Sequence, residues 1–335
     1  MQQKHLPTVD FTAVDPGSPG AWRATREQVM QALGFHGGFE VVYDRVTPDH
    51  RHALLEIAKD LFARPLPTKL KNASDEPYGG YLGQLPGIAY ESLAVADAGL
   101  PYAIPTFADL MWPDGNPRFC EKVKLFTEKM VELLETVRRM VMESLGVAEY
   151  FEEQVRATYY QLRFTEYGEA SEWAEEKRTL AQMAHRDTNT LTVVCQLNEV
   201  NGLQVEAKDG EWVLAAPRSP ASFFVIAGEA FQAWTNNKVY APRHGVRVED
   251  EEVDRRYCII VFAKPTSEHP IEAPAELVDD LHPSLFKPFY YHDFLKFCVS
   301  PEGRKQRTSR LAVYRRSLTT APPAATTATK EEDEA

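Results

Sequence analysis

Arg255-Arg256-Tyr257-Cys258-Ile259-Ile260-Val261-Phe262 is the stretch on which the fold turns. Taken as a strand it alternates: Arg256, Cys258, Ile260 and Phe262 share one face, and Tyr257, Ile259 and Val261 share the other. Both faces are mainly apolar, so the strand should be buried. An arginine facing the interior of a barrel cannot stay unpaired, because an uncompensated desolvated charge is destabilising by several kcal/mol. No acidic partner is evident in the neighbouring strands. A carboxylate from a small ligand would supply one, and the planar fork of guanidinium suits it. The plain alternative, a strand-edge arginine reaching solvent, is disfavoured by His244 about a dozen residues upstream.

Upstream of that stretch, short β-rich runs follow one another from Thr158 onward: Tyr159 to Phe164, Thr190 to Leu197, Leu203 to Val205, Trp212 to Leu214, Ser222 to Ile226, Phe231 to Trp234, and Val246 to Val248. Asn201-Gly202, Asp209-Gly210 and Asn236-Asn237 separate them as turns, the pattern of antiparallel strands closing on themselves.

Before Thr158 the chain is mostly helical. Leu6 to Phe11 reads as a short strand, and Ser18-Pro19 opens a helix with a capping residue and a proline at its first position. Trp22, Val29 and Leu33 form its buried stripe, Gly37-Gly38 breaks it, and Phe39 to Tyr43 resumes as a strand. Thr47-Pro48 starts a second helix, with Leu54, Ile57, Ala58, Leu61 and Phe62 on one face. Asn72 to Phe107, rich in glycine, proline and tyrosine, reads as a long excursion with little regular structure, a type of loop that is often functional. The longest helix follows Asn116-Pro117 and runs to Gly146. Past the strands, Pro288 to Phe297 reads as another helix. The expected organisation is a mainly helical region 1–157, a core of strands 158–265, a helical cover 266–316 and a disordered tail 317–335.

A chain of 335 residues with 44% hydrophobic residues can bury a large core. Its formal net charge of −12, with no basic stripe, argues against nucleic acid or an anionic membrane as partner. The four cysteines lie far apart, which points to neither a zinc knuckle nor a disulfide framework and suits a reducing compartment. No signal pattern opens the sequence and no apolar run approaches membrane-spanning length, so a cytoplasmic protein is expected. Separately, the chain is expected to be a monomer with a small-molecule substrate.

Met183-Ala184-His185-Arg186-Asp187 carries the chemistry. On a strand edge, His185 and Asp187 share a face and Arg186 takes the other. Taken alone, the pair is better read as a structural hydrogen bond. With His244 brought back by the intervening strands, it becomes two histidines and one carboxylate around an ion with open positions, the arrangement of non-haem Fe(II) oxygenases. The other seven histidines carry no assigned role. A kinase-type reading of His185-Arg186-Asp187 fails, since the asparagine it requires, a glycine-rich phosphate loop and an Asp-Phe-Gly are all missing.

His185-x-Asp187, Gly202-Leu203-Gln204-Val205, Asp209-Gly210-Glu211-Trp212-Val213, Gly228 to Asn236, His244 and Arg256-x-Cys258 together resemble the plant soluble Fe(II)/2-oxoglutarate-dependent dioxygenases. The branch with the alkenyl-forming glucosinolate side-chain dioxygenases is the most similar. Gly37-Gly38-Phe39 and Leu61-Phe62-Ala63-Arg64-Pro65 extend the likeness to the helical region, so that it covers about Leu6 to Phe297. The resemblance implies an α+β fold, a double-stranded β-helix (jelly roll) flanked by helices. It implies Fe(II) on His185, Asp187 and His244, and 2-oxoglutarate held at its distal carboxylate by Arg256 with Cys258 and Tyr167. Dioxygen as oxidant, ascorbate as a supporting reductant, succinate and CO2 as products, and hydroxylation, desaturation or demethylation of a plant metabolite follow from the same likeness.

Three positions depart from the family pattern. Cys258 replaces a serine, Thr165 an asparagine, and Gly245 an arginine after the metal histidine. They motivate two alternatives: an impaired binding or sensor protein on the same fold, or a related oxidase that does not use 2-oxoglutarate. For the organic substrate the candidates are Tyr81, Tyr90, Phe231 and Phe294. An aromatic lining without a second basic cluster points to a neutral or weakly acidic molecule.

Overall fold

The structure is a computed structural model, and it describes residues 4–15, 17–86, 88–169, 172, 184–247, 254–306 and 309–320. Strands β1 (Thr8–Asp10) and β2 (Gly38–Val42) bracket helix α1 (Pro19–Phe35). Helices α2 (Pro48–Phe62) and α3 (Leu66–Lys69), strand β3 (Tyr90–Val95), and helices α4 (Ala103–Met111), α5 (Pro117–Leu145) and α6 (Phe151–Arg156) complete the first part. Strands β4 (Thr158–Tyr167), β5 (Leu191–Gln196), β6 (Leu203–Glu206), β7 (Trp212–Leu214) and β8 (Ser222–Ala227) follow. Then come helix α7 (Glu229–Trp234), strands β9 (His244–Val246) and β10 (Arg256–Pro265), and helices α8 (Tyr291–Val299), α9 (Pro301–Lys305) and α10 (Arg310–Thr320).

The strands form two sheets. The larger has the order β1-β2-β8-β5-β10-β4-β3 and the smaller β7-β6-β9. Between them lies a compact apolar layer in which Val194, Phe224, Ile226, Cys258 and Ile260 of the large sheet meet Leu203, Val205, Val213 and Val246 of the small one. The outer face of the large sheet, with Leu162, Phe164, Val193, Ile259 and Val261, packs on the stripe of α5 that includes Phe119, Val123, Phe126 and Val137. This is the jelly roll flanked by helices. The alternation of β10 is as expected: Cys258 and Ile260 face the layer between the sheets, whereas Tyr257, Ile259 and Val261 face the helices.

Local chemistry explains the helix ends. Thr47 accepts from the His50 amide at the start of α2, and Asn116 Oδ1 accepts from the Phe119 amide at 2.9 Å at the start of α5. Gly146 ends α5 with φ of 72°, where a side chain would be strained. Ser18 stands at the start of α1 but its side chain makes no capping bond, contrary to expectation.

The N-terminal segment joins the two sheets. His5 bridges Leu214 of β7 in parallel, the Leu6 amide donates to Leu214 O and the Leu214 amide to Lys4 O, and β1 then pairs with β2. Arg218 binds Glu40, Leu6 O and Thr8 from the other side.

Several expectations are corrected. Phe231 to Trp234 is helical: Ala230, Phe231, Ala233 and Trp234 are buried at helical spacing, and the Phe231 and Trp234 rings stack one turn apart with centroids separated by 6.2 Å. The Asn72–Phe107 excursion contains β3, held by antiparallel pairing with β4, and the start of α4. The expected strand at Val246–Val248 is shifted to His244–Val246, and Val248 lies outside the described residues. The helix expected from Pro288 begins at Tyr291. Helix α10 continues to Thr320, past the boundary set at 317, and residues 321–335 lie outside the described ones.

Candidate active site

His244 opens β9 and bridges His185 antiparallel, so the small sheet gains a fourth strand-like edge carrying the second histidine. His185 and His244 exchange both backbone hydrogen bonds, which sets their rings 4.5 Å apart. Two residues on, Asp187 turns toward the same space. His185 Nε2 lies 3.6 Å and His244 Nε2 3.7 Å from Asp187 Oδ1. Arg186 points the other way, over the Tyr240 ring at 5.1 Å. The second carboxylate oxygen of Asp187 accepts from the Thr192 hydroxyl at 2.5 Å.

Burial would raise the Asp187 carboxyl, but the two imidazoles and the Thr192 hydroxyl outweigh it and hold it at about 2. Burial pulls His244 down to about 4 against the attraction of Asp187, so its ring is neutral at physiological pH. Its Nδ1 lies 3.4 Å from Pro242 O, and a carbonyl only accepts, so the proton sits on Nδ1 and the Nε2 lone pair faces Asp187. Three ligand atoms within 4.8 Å of one another, two imidazole nitrogens and one carboxylate oxygen, fit Fe(II) by number, type and spacing.

Arg256 is the second component. It is 3% exposed, and its Nη1 lies 3.3 Å from Cys258 Sγ and its Nη2 3.4 Å from Gln196 Oε1, while Nε makes no hydrogen bond. Its guanidinium carbon stands 5.3 Å over the Tyr167 ring, the residue paired with it in register. No carboxylate among the described residues forms an ion pair with it. The contact with Cys258, two residues on, lays the side chain along β10 in the direction of Phe262, which pairs with the Thr192 that holds Asp187. Thr165 pairs with Cys258 and its buried hydroxyl makes no hydrogen bond.

The four aromatic candidates divide. Tyr90 lies edge-on to Tyr167, with centroids 5.2 Å apart, on the side of the sheet that carries Arg256. Tyr81 instead donates to Glu91 at 2.6 Å and lies near Lys69, on the helical side of β3. Phe231 and Phe294 are buried in the larger apolar core, the latter against Phe289 and Tyr314. Tyr81 is thus held by a hydrogen bond and Phe231 and Phe294 by packing, and of the four only Tyr90 stands beside Tyr167 and Arg256.

Residues that sequence reasoning passed over complete the surroundings: Thr192 behind Asp187, Gln196 beside Arg256, and Tyr291, whose hydroxyl lies 3.2 Å from Thr188 Oγ1. A signal existed in β5, where Thr192, Val194 and Gln196 share the inner face of a strand buried along its whole length. Polar residues on such a face need a partner there. A second basic pair, Arg163 and Lys264, also lies buried in this part of the sheet, against the expectation of none.

Comparison with known proteins follows the same geometry. Residues 151–265 match the model of the 2OG-Fe(II) oxygenase superfamily, and residues 6–95 match the N-terminal model described for a non-haem dioxygenase in morphine synthesis. The chain is 36% identical over 304 residues to the probable 2-oxoglutarate-dependent dioxygenase AOP1.2 of Arabidopsis thaliana, covering 89% of this chain and 92% of the relative. It is 28% identical over 417 aligned residues to the 2-oxoglutarate-dependent dioxygenase AOP2 of the same plant, covering 90% and 95%. Among solved structures, the rice dioxygenase for auxin oxidation superposes with a TM-score of 0.75 at 26% identity, covering 92% of this chain and 99% of that one. The strands that gather His185, Asp187, His244 and Arg256 are thus the ones the family model spans, and the chain belongs to the Fe(II)- and 2-oxoglutarate-dependent oxygenases.

Proposed function

We propose that this oxygenase oxidises a small organic molecule of plant metabolism, with His185, Asp187 and His244 holding Fe(II) and with Arg256, Cys258 and Tyr167 receiving the distal carboxylate of 2-oxoglutarate. The observation that carries the reading is Arg256: a buried guanidinium with an unbonded Nε, laid along β10 against Cys258, and no acid beside it among the described residues. Bound together, the metal and its co-substrate supply the oxidising chemistry that modifies a C–H bond while 2-oxoglutarate is converted to succinate and CO2. The protein's own part is positional. Thr192 fixes the Asp187 carboxylate, the Pro242 carbonyl fixes the tautomer of His244, and Val194 and Ile260 supply apolar surface on the face of the sheet that carries Arg256. The plant relatives, one of them a dioxygenase for auxin oxidation, support the substrate class.

We read the chain further as a cytoplasmic monomer without a nucleic-acid partner. In this reading, region 1–157 supports the core 158–265 and residues 266–316 cover it. No helix among the described residues is long and apolar enough to cross a membrane. Light scattering on the purified protein checks the monomer.

The test of the centre is anaerobic. Adding 2-oxoglutarate to the Fe(II)-loaded protein is expected to produce a metal-to-ligand absorption band, and admitting air to release succinate. Arg256→Ala should weaken the apparent 2-oxoglutarate affinity by about a hundredfold, on the order expected when a charge-assisted pair is lost. A band formed equally well by Arg256→Ala would overturn the assignment.

A further inference from the structure

The inner face of β4 carries Gln161, Arg163, Thr165 and Tyr167, because Tyr160, Leu162 and Phe164 take the face toward the helices. Gln161 is 2% exposed and its Nε2 makes no hydrogen bond. Arg163 is 4% exposed and binds only neutral acceptors, Ser92 Oγ at 2.6 Å and the Tyr78 carbonyl. Lys264, on the same face of β10, binds Glu76 at 2.9 Å, and Glu76 also accepts from the Tyr159 hydroxyl. Other buried arginines of this chain, such as Arg51 and Arg138, bind carbonyls and hydroxyls away from this face. The patch on β4 is different because an unpartnered amide lies beside the arginine.

Its position is fixed by register. Gln161 pairs with Phe262, Phe262 pairs with Thr192, and the Thr192 hydroxyl holds Asp187. With strands about 4.8 Å apart, the backbone of Gln161 lies roughly 10 Å from that of Thr192, across the sheet from the metal ligands. Charge is unbalanced there. In the loaded enzyme the double charge of the metal and the charge of Arg256 are matched by Asp187 and the two carboxylates of 2-oxoglutarate. Glu76 then matches only one of Arg163 and Lys264. Asp97, half-buried after β3, is a weaker influence on Lys264. Glu76 also acts on Arg163 from a distance, but Arg163 has no carboxylate in hydrogen-bond contact and the Gln161 amide beside it is an unused donor; a buried charge and donor left without a bound partner are destabilising.

We propose that the organic substrate is a monoanion, a small carboxylic acid whose carboxylate is received by Arg163 and Gln161, with Lys264 and Glu76 completing the patch. This rests on the assignment of the metal and 2-oxoglutarate above and deepens it. The test uses phenylacetate, 3-phenylpropanoate and 4-phenylbutanoate, each against its methyl ester, titrated anaerobically into the protein loaded with Fe(II) and 2-oxoglutarate while the absorption band is followed. At least one acid is expected to perturb the band with an affinity about tenfold or more above that of its ester. Arg163→Gln and Gln161→Leu should each bring that ratio to within about twofold, and Arg163→Lys should keep part of it. If Arg163→Gln does not fold, Gln161→Leu decides, since it removes an unbonded donor and unpairs nothing. Esters that bind as tightly as every acid, or variants that weaken acid and ester alike, would overturn the inference with the centre intact. Failure of the band to form with 2-oxoglutarate alone would overturn the assignment of the centre first.

Discussion

Beside Arg256 stands a thiol where the family places a hydroxyl. Sulfur is the weaker hydrogen-bond partner, and Cys258 Sγ lies 3.3 Å from Nη1. Cys258→Ser is therefore expected to lower the KM for 2-oxoglutarate by roughly threefold, the scale of part of one hydrogen bond; an unchanged KM in a succinate assay would mean that the thiol costs the enzyme nothing. Glu229 gives a second residue-level prediction. Burial raises its carboxyl above the ordinary 4.5, with the Leu311 amide and the Ser309 hydroxyl opposing, and both donate to Oε1 while Oε2 has no partner. A raised folded-state value means that the stability from this group is complete below pH 4.5 and is lost as pH rises through the raised value. Glu229→Gln keeps the Oε1 acceptor without the charge, so the fall in Tm between pH 5 and pH 8 should be smaller in the variant, as thermal melts would measure. At this scale the ligands and Arg256 were legible because buried charge demands a partner. Thr192 was passed over, because a threonine in a strand has an ordinary reason to be there and only its place on the inner face of a wholly buried strand marks it.

Elements were legible where local chemistry decides them. Helix α5 begins and ends at its asparagine, proline and glycine signals, and the two faces of β10 follow from alternation alone. Strand β3 was hidden because it exists through pairing with β4, which no local pattern announces, and α7 was hidden because six residues do not complete two helical turns. Both matter to the site. Gly228 introduces α7, and a Cβ there would meet Asn189 O at 2.0 Å and Asp187 O at 3.1 Å, backbone atoms that cannot swing aside. The Gly228 and Glu229 amides also donate to Thr190 O and Asp187 O. Gly228→Ala should displace the Asp187 segment and weaken Fe(II) binding by about tenfold or more, the scale seen when the support of a metal ligand is disturbed. A metal titration that matches the parent protein would show that the segment absorbs the methyl group.

For the whole molecule, the α+β plan was legible from the switch in period near Thr158, and the jelly roll from resemblance. How the ends of the chain close it was not, because that depends on contacts more than two hundred residues apart, such as Arg218 with Leu6 and Thr8. The segment from Lys4 to Asp10 belongs to both sheets, and this bears on self-association. It occupies the outer edge of β7, whose backbone groups would otherwise be open to another chain, and it buries Leu6 between the sheets. Deletion through Pro7 is expected to lower Tm and to yield soluble aggregates by light scattering, whereas a deletion mutant that stays monodisperse would show the edge to be harmless. Lys4 to Leu6, ahead of the first strand, is thus a cap on a pairing template, and it guards the molecule against recruiting its own copies.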